Sequence, residues 1–198
     1  PLYPTFLAGV GGISRLLNLD TLEGIRWTNS ILFGLNVFFS GILFRRCLRS
    51  PLFIVLGTAS VALAYPLLTS HIYVWSEPLY ILLSLLFILV LPAFLEQRRP
   101  HQFFILVVIA ALGTMQRYAA VGIIPFAMLA IVLFLQNPSW VKRVLIAAAF
   151  AISAIPYLLW LAYIRTLATA TIVNSPNPVE AFFDSIALTP TLLAQWFV

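Results

Sequence analysis

The sequence predicts an all-α, polytopic transmembrane helix bundle of about six spans, with juxtamembrane helices on its outer face. Composition is the first reason. Of 198 residues, 62% are hydrophobic and 9% charged, whereas soluble domains hold about 45–50% and about 25%. With a mean hydropathy of +1.04, the apolar surface exceeds what one soluble core buries, and most of it must face lipid. A soluble domain, a disordered tail and a fibrous repeat are excluded. The second reason is where the charges fall. Eleven Lys and Arg against six Asp and Glu give a net charge of +5. The basic residues stand in short clusters between apolar runs, the pattern of cytoplasmic membrane loops and not of nucleic-acid binding. The expected partners therefore include membrane lipids and no nucleic acid.

A crossing helix needs about 20 apolar residues at about 1.5 Å each. Residues 1–23 read as an outer juxtamembrane segment, with an amphipathic helix over 2–17 lying along the interface. The first span is 24–44, opened by the capping-box pair Asp20 and Glu23 and closed by Arg45-Arg46. The second, 51–68, begins on Pro51, where the missing N–H costs nothing. A polar outer loop follows from Thr69-Ser70-His71 to Trp75-Ser76-Glu77-Pro78, with Ser76 as N-cap of the third span, 79–95. Residues 102–135 are too long for one crossing and are interrupted at Gly113-Thr114-Met115-Gln116-Arg117-Tyr118. Dividing them into two short spans, 102–115 and 118–135, leaves Arg45/Arg46/Arg49, Arg98/Arg99 and Lys142/Arg143 on one side of the membrane. The sixth span is 144–163, with Pro156 as its kink.

Residues 166–198 read as an outer loop with helix starts at Asn177-Pro178-Val179-Glu180 and Thr189-Pro190. Trp27, Trp75, Trp140 and Trp160 sit near span ends, as interfacial aromatics do. Residues 1–198 thus read as one membrane domain, its spans held within 24–165. Pro1-Leu2-Tyr3-Pro4 has no basic n-region, and the chain ends at Phe197-Val198 within an apolar run, so it reads as an internal fragment of a longer protein. Cys47 is the lone cysteine, among Arg45, Arg46 and Arg49; it reads as an inert thiol on the reducing side.

Most polar motifs have structural readings. Gly9-Val10-Gly11-Gly12 lacks the third glycine of a dinucleotide fingerprint and reads as a flexible or close-packing turn. Asn137-Pro138-Ser139 has Pro in the forbidden position of a glycosylation acceptor. His71 and His101 fall on opposite membrane faces and share no metal; Glu180 and Asp184 share a solvated helix face. Asn36 and Ser40 read as helix–helix hydrogen-bonding groups.

Arg117 stands apart. It lies at the tip of a hairpin whose limbs are shorter than the hydrocarbon is thick, so its guanidinium sits at or below the outer headgroups. It either snorkels to lipid headgroups or binds an anion, for which its fork of donors matches phosphate oxygens. Glu77 is either a first-turn acid complementing the helix dipole, a partner of Arg117, or a contact to a polar substrate. Arg26 and Arg165 also lie near outer span ends, completing an outer ring suited to an anionic, lipid-linked ligand.

Pro1-Leu2-Tyr3-Pro4, Arg26-Trp27 entering a span that ends in Arg45-Arg46, Trp75-Ser76-Glu77-Pro78-Leu79-Tyr80 and Gln116-Arg117-Tyr118-Ala119-Ala120-Val121-Gly122 follow one another in an order similar to that of bacterial GT-C glycosyltransferases. The chain resembles their protein O-mannosyltransferase and aminoarabinose-transferase type over essentially its whole length. That resemblance implies a multi-pass protein of the bacterial inner membrane. It also implies sugar transfer from a polyprenyl-phosphate donor to a glycan, lipid or protein acceptor on the extracytoplasmic face. It places the general base in an outer loop upstream of Pro1, so no catalytic residue is assigned here and the chain alone is expected to be inactive. Substrate binding is assigned to Arg117 for the donor phosphate, with Tyr118, His71 and Glu77 in the pocket. No cofactor is specified; a divalent metal at the departing phosphate is the one left open. A transporter or flippase for a lipid-linked or small anionic substrate is the alternative, since broken helices and cavity-lining Arg residues serve there too.

Overall fold

The computed structural model describes residues 2–73 and 75–171, and among them every regular element is helical. The helices are α1 (Leu2–Leu16), α2 (Thr21–Cys47), α3 (Pro51–Ala62), α4 (Tyr65–Ile72), α5 (Glu77–Gln97), α6 (Pro100–Gln116), α7 (Ile123–Phe134), α8 (Trp140–Phe150) and α9 (Ile155–Thr171). Single 3-10 turns, Tyr118–Gly122 and Ala151–Ala154, precede α7 and α9. By its internal contacts the chain divides into two compact units, residues 1–159 and 160–198. In the second, the described helix carries Trp160 against Tyr163, ring centroids 5.7 Å apart. The expected helix starts at Asn177 and Thr189, the Glu180–Asp184 face and the side chain of Arg165 lie outside the described residues.

Three helical stretches are long and apolar enough to cross a membrane: Thr21–Cys47, Glu77–Gln97 and Trp140–Ile164. The bent pair α3 and α4 makes a fourth if it is one broken span. The expected count of six rests on two further limbs, α6 and Tyr118–Phe134, which are shorter apolar helices. At about 1.5 Å per residue α6 reaches about 25 Å, less than a hydrocarbon layer of about 30 Å.

Burial does not follow polarity alone, as suits a lipid surround. Phe38, Phe53, Phe104, Phe126, Leu129 and Leu145 point outward, whereas Asn29, Asn36, Ser40, His71, Thr114 and Gln116 are buried. The apolar core of the first unit lies between α5, α6, α7 and α8. Leu83, Phe87, Leu91 and Phe94 recur at helical spacing on one face of α5 and meet Leu106, Ile109 and Ala110 of α6 and Ile124, Ala127 and Ile131 of α7. Phe150 of α8 closes the cluster, edge-on to Phe103 at 6.1 Å. Gly113 lets α6 and the following turn approach, since a Cβ there would rest 3.6 Å from Ala120 Cβ.

Several local expectations are corrected. The second span does not run unbroken over 51–68. It stops at Ala62 and resumes at Tyr65 with a 44° bend, because Pro66 has no N–H for the Ala62 carbonyl and suits the first turn of a new helix that the extended Ala64 opens. Thr69-Ser70-His71 is therefore the last turn of α4 and not part of a loop. Gly9–Gly12 is no turn either, but lies within α1. There a Cβ at position 11 would meet Thr21 Cγ2 at 3.5 Å, and a turn later Ser14 leaves no room for a Cβ at Gly24 of α2. Ser76 occupies the N-cap position of α5 but has helical backbone angles and no side-chain capping bond. By contrast Asp20 caps α2 through Leu22 N at 3.1 Å, and the break before Pro156 takes the form of the 3-10 turn Ala151–Ala154.

The helix ends gather in two groups. Arg46 Nη1 donates to Leu89 O at 2.6 Å, Gln136 N to Leu95 O at 3.2 Å and Arg143 Nε to Pro138 O at 3.1 Å. The ends of α2, α5 and α7 and the starts of α6 and α8 thus share one pole, which carries all three basic clusters. The end of α4, the start of α5 and the end of α6 meet at the other.

Candidate functional site

At that second pole the chain between α4 and α5 is held by side-chain amides. The last turn of a helix leaves carbonyls without intrahelical partners. Asn29 of α2 takes two of them near the end of α4, donating Nδ2 to His71 O and Tyr73 O, both at 3.1 Å. Two turns further along α2, Asn36 Nδ2 donates to Pro78 O at 3.0 Å and meets His71 Nε2 at 3.0 Å. From α6, Gln116 Nε2 donates to Ser76 O at 2.9 Å. Four backbone carbonyls around the α4–α5 turn are thereby fixed by three amides on two helices.

This network sets the state of His71. Its Nδ1 lies 2.7 Å from Leu67 O, an acceptor only, so Nδ1 carries the proton. Nε2 is then the acceptor for Asn36, and the ring is neutral with both nitrogens engaged. The ring also stands edge-on to Phe33, centroids 5.3 Å apart. At 8% exposure His71 sits beneath the site surface, bracing the turn.

Above it, Arg117 and Glu77 form an ion pair through Nη1 and Oε1, the one such pair among the described residues. Their positions follow from helix geometry. Glu77 opens α5, where a carboxylate complements the exposed N–H groups. Arg117 is the residue at which α6 stops, in extended backbone, its own N–H closing α6 on Gly113 O at 3.0 Å. Their side chains are 37% and 31% exposed, so both remain reachable from outside the bundle. Tyr3 of α1 lies within electrostatic range of the same carboxylate. Its phenol is raised above the ordinary value, first by burial and then by the charge of Glu77. Tyr118, 81% exposed, projects beside the pair.

Within a turn of the pair, α5 and the α6–α7 connection leave a cavity of about 360 Å³ lined by Tyr80, Ser84, Phe87, Ala119, Gly122 and Phe126. Its wall is apolar except for Tyr80 and Ser84, and Ser84 Oγ is buried without a hydrogen-bond partner. Asn36 Oδ1 and Gln116 Oε1 are likewise buried and unpartnered.

The structure thus brings together Arg117, Glu77 and Tyr118, with His71 below them, and leaves Arg26 on the exposed side of α2. Sequence reasoning did not single out Asn29 or Tyr3, or the bridge made by Gln116. A signal for Asn29 existed: with Asn36 and Ser40 it repeats at helical spacing on one face of an apolar helix. Among the described residues no three His, Cys, Asp or Glu assemble as metal ligands. The one carboxylate at the site among the described residues, that of Glu77, is paired with Arg117. No family model matches the chain, and neither a curated protein nor a solved structure is significantly similar to it.

Proposed function

We propose that the chain is membrane-embedded machinery of a GT-C-type glycosyltransferase of a bacterial inner membrane, with six crossings and the Arg117 pole on the extracytoplasmic face. It moves a sugar from a polyprenyl-phosphate donor to a glycan, lipid or protein acceptor. The observation that carries the reading is Arg117 itself, a half-exposed guanidinium at the break between α6 and α7, held through one nitrogen by Glu77. A guanidinium has five N–H donors in a fixed fork, so the pair orients Arg117 and leaves donors for a phosphate oxygen. In the transfer, the bond from the sugar carbon to the phosphate oxygen breaks and its electron pair stays on that oxygen, where the positive charge of Arg117 stabilises it. The acceptor hydroxyl forms the new bond and gives its proton to a base. No acid among the described residues is assigned that role.

The adjoining apolar cavity supports the same reading, because it begins within a turn of Arg117 and suits a hydrocarbon chain. Tyr118 is exposed where a sugar ring would stack. His71 acts through Asn36 on the Pro78 carbonyl, in the first turn of α5, and so helps position Glu77. Arg117→Ala in the full-length protein lowers kcat/KM with a polyprenyl-phosphate sugar by at least about tenfold, and Arg117→Lys recovers part of it. Normal transfer by a poorly expressed Arg117→Ala protein would make the residue a lipid anchor instead. The 44° break between α3 and α4 favours a second reading, transport of a lipid-linked or small anionic substrate. Movement of the intact lipid-linked sugar across proteoliposomes, with no new glycosidic bond, would select it.

A further inference from the structure

At the basic pole, far from Arg117 along the bundle, α2 and α5 part around a cavity of about 560 Å³ whose wall includes Arg46, Cys47, Ile88, Pro92, Glu96 and Gln97. The sequence explains why it is there. Pro92 lies inside α5 and has no N–H for the Ile88 carbonyl, and its ring crowds that turn. Arg46 crosses from α2 to the next carbonyl in the chain, Leu89 O, at 2.6 Å through Nη1. One nitrogen thus pins the guanidinium in place, and the fork of Arg46, which lines the cavity, has further donors to offer a ligand.

Glu96 lines the same space, yet it is not paired with Arg46, since the one ion pair among the described residues is that of Glu77 and Arg117. A fixed cation and an acid therefore border one cavity with a gap between them. Gln97 adds a polar group already engaged, its Oε1 accepting from Gln102 Nε2 at 3.2 Å, while Ile88 and Pro92 keep the floor apolar.

A ligand that matches this wall carries a phosphate for Arg46, an ammonium for Glu96 and a hydrocarbon body. We propose that the cavity binds a membrane phospholipid with a zwitterionic, amine-bearing headgroup of the phosphoethanolamine class. The wall's own charge separates this from the general attraction of the pole for anionic lipid. Arg45, Arg49, Arg98 and Arg99 attract any acidic headgroup through space, whereas Glu96 repels a headgroup that has only negative charge and rewards one that also has an ammonium. The inference is independent of the glycosyltransferase reading.

The test places the full chain in nanodiscs of equal phosphatidylethanolamine and phosphatidylglycerol with matched acyl chains, and reads retained lipids by native mass spectrometry. The expected result is enrichment of the ethanolamine lipid by about threefold or more over disc composition, equivalent to about 0.7 kcal/mol at about 1.4 kcal/mol per tenfold. Glu96→Gln abolishes that preference, Arg46→Gln lowers retention of both lipids, and Glu23→Gln, an exposed acid at the far end of α2, changes neither. Cys47, the one cysteine and a wall residue, supplies a second readout. Its maleimide modification is slower in ethanolamine discs than in glycerol discs, and the two rates converge in Glu96→Gln. Equal or greater retention of phosphatidylglycerol by the unaltered chain, or an ethanolamine preference that survives Glu96→Gln, overturns the assignment.

Discussion

Replacing Asn36 by Ala tests whether the amide network is what holds the α4–α5 turn. Asn36 is fully buried, at 0% exposure, and its Nδ2 serves His71 Nε2 and Pro78 O, each at 3.0 Å. Truncation leaves both acceptors unpaired within the bundle. An unsatisfied buried polar group costs about 1–3 kcal/mol, but hydrogen bonds between helices in membranes measure about 0.6 kcal/mol on average and up to about 1.7. Two such bonds and the space vacated by the amide add to about 2–3 kcal/mol for Asn36→Ala. Asn36→Asp is worse, because it sets a carboxylate against the Pro78 carbonyl. Unfolding in bicelles by steric trapping measures both. Because Asn36 and His71 share a bond, the Asn36→Ala/His71→Ala pair is non-additive, with coupling of about 0.5 kcal/mol or more. Stability of Asn36→Ala within about 0.5 kcal/mol of the parent, or full additivity with His71→Ala, would refute the reasoning.

Three further expectations concern other parts of the bundle. A Cβ at position 24 would lie 1.8 Å from Ser14 Oγ, so Gly24→Ala forces α1 from α2 at a cost of about 1–3 kcal/mol. Ser14→Ala restores part of this in thermal unfolding, and an unaffected Gly24→Ala midpoint would deny the contact. Tyr3 should ionise above its ordinary value of 10.0, read as the absorbance titration of the parent minus Tyr3→Phe. The folded chain favours the protonated phenol, so this contribution to stability is complete below the unfolded value and lost as pH rises through the folded one. Glu77→Gln lowers the midpoint only in part, since burial is the larger cause; a rise would contradict the proximity of Tyr3 to Glu77. In a Cys47→Ser background, cysteines at 98 and 142 label from the cytoplasmic side and one at 118 from outside. Labelling of 98 and 118 from the same side would remove the hairpin.

Much of this architecture is legible in the sequence, because hydropathy over twenty residues and the placement of Arg are averages that survive any local detail. The apolar runs became helices, and the three basic clusters came to one pole. The pairing of Glu77 with Arg117 was one of the alternatives their chemistry allowed. What escaped depends on single atoms. The bend after Ala62 turns on one missing N–H at Pro66, and the run around it is apolar either way. Ser76 has the residue type of a cap, but Gln116 claims its carbonyl and its own side chain makes no capping bond. Which amide reaches which carbonyl depends on the rotation of α2 and α6 about their axes, a tertiary quantity that periodicity constrains only to a face. Tyr3 comes under the charge of Glu77 through the docking of α1, which no local pattern encodes.

None of the residues of α3 is buried. The helix touches α2 through a short strip where Thr58 meets Gly41 and Gly57 meets Phe44, and the rest of its circumference looks outward. Natural drift along α3 is therefore governed by solvent and not by neighbours. Leu, Ile, Val and Phe should interchange freely at Leu52, Phe53, Val55 and Leu56, while Gly57 and Thr58 stay small. Across homologues the segment would keep its hydropathy and lose its identity, so a helix with no buried residue would be a poor record of ancestry.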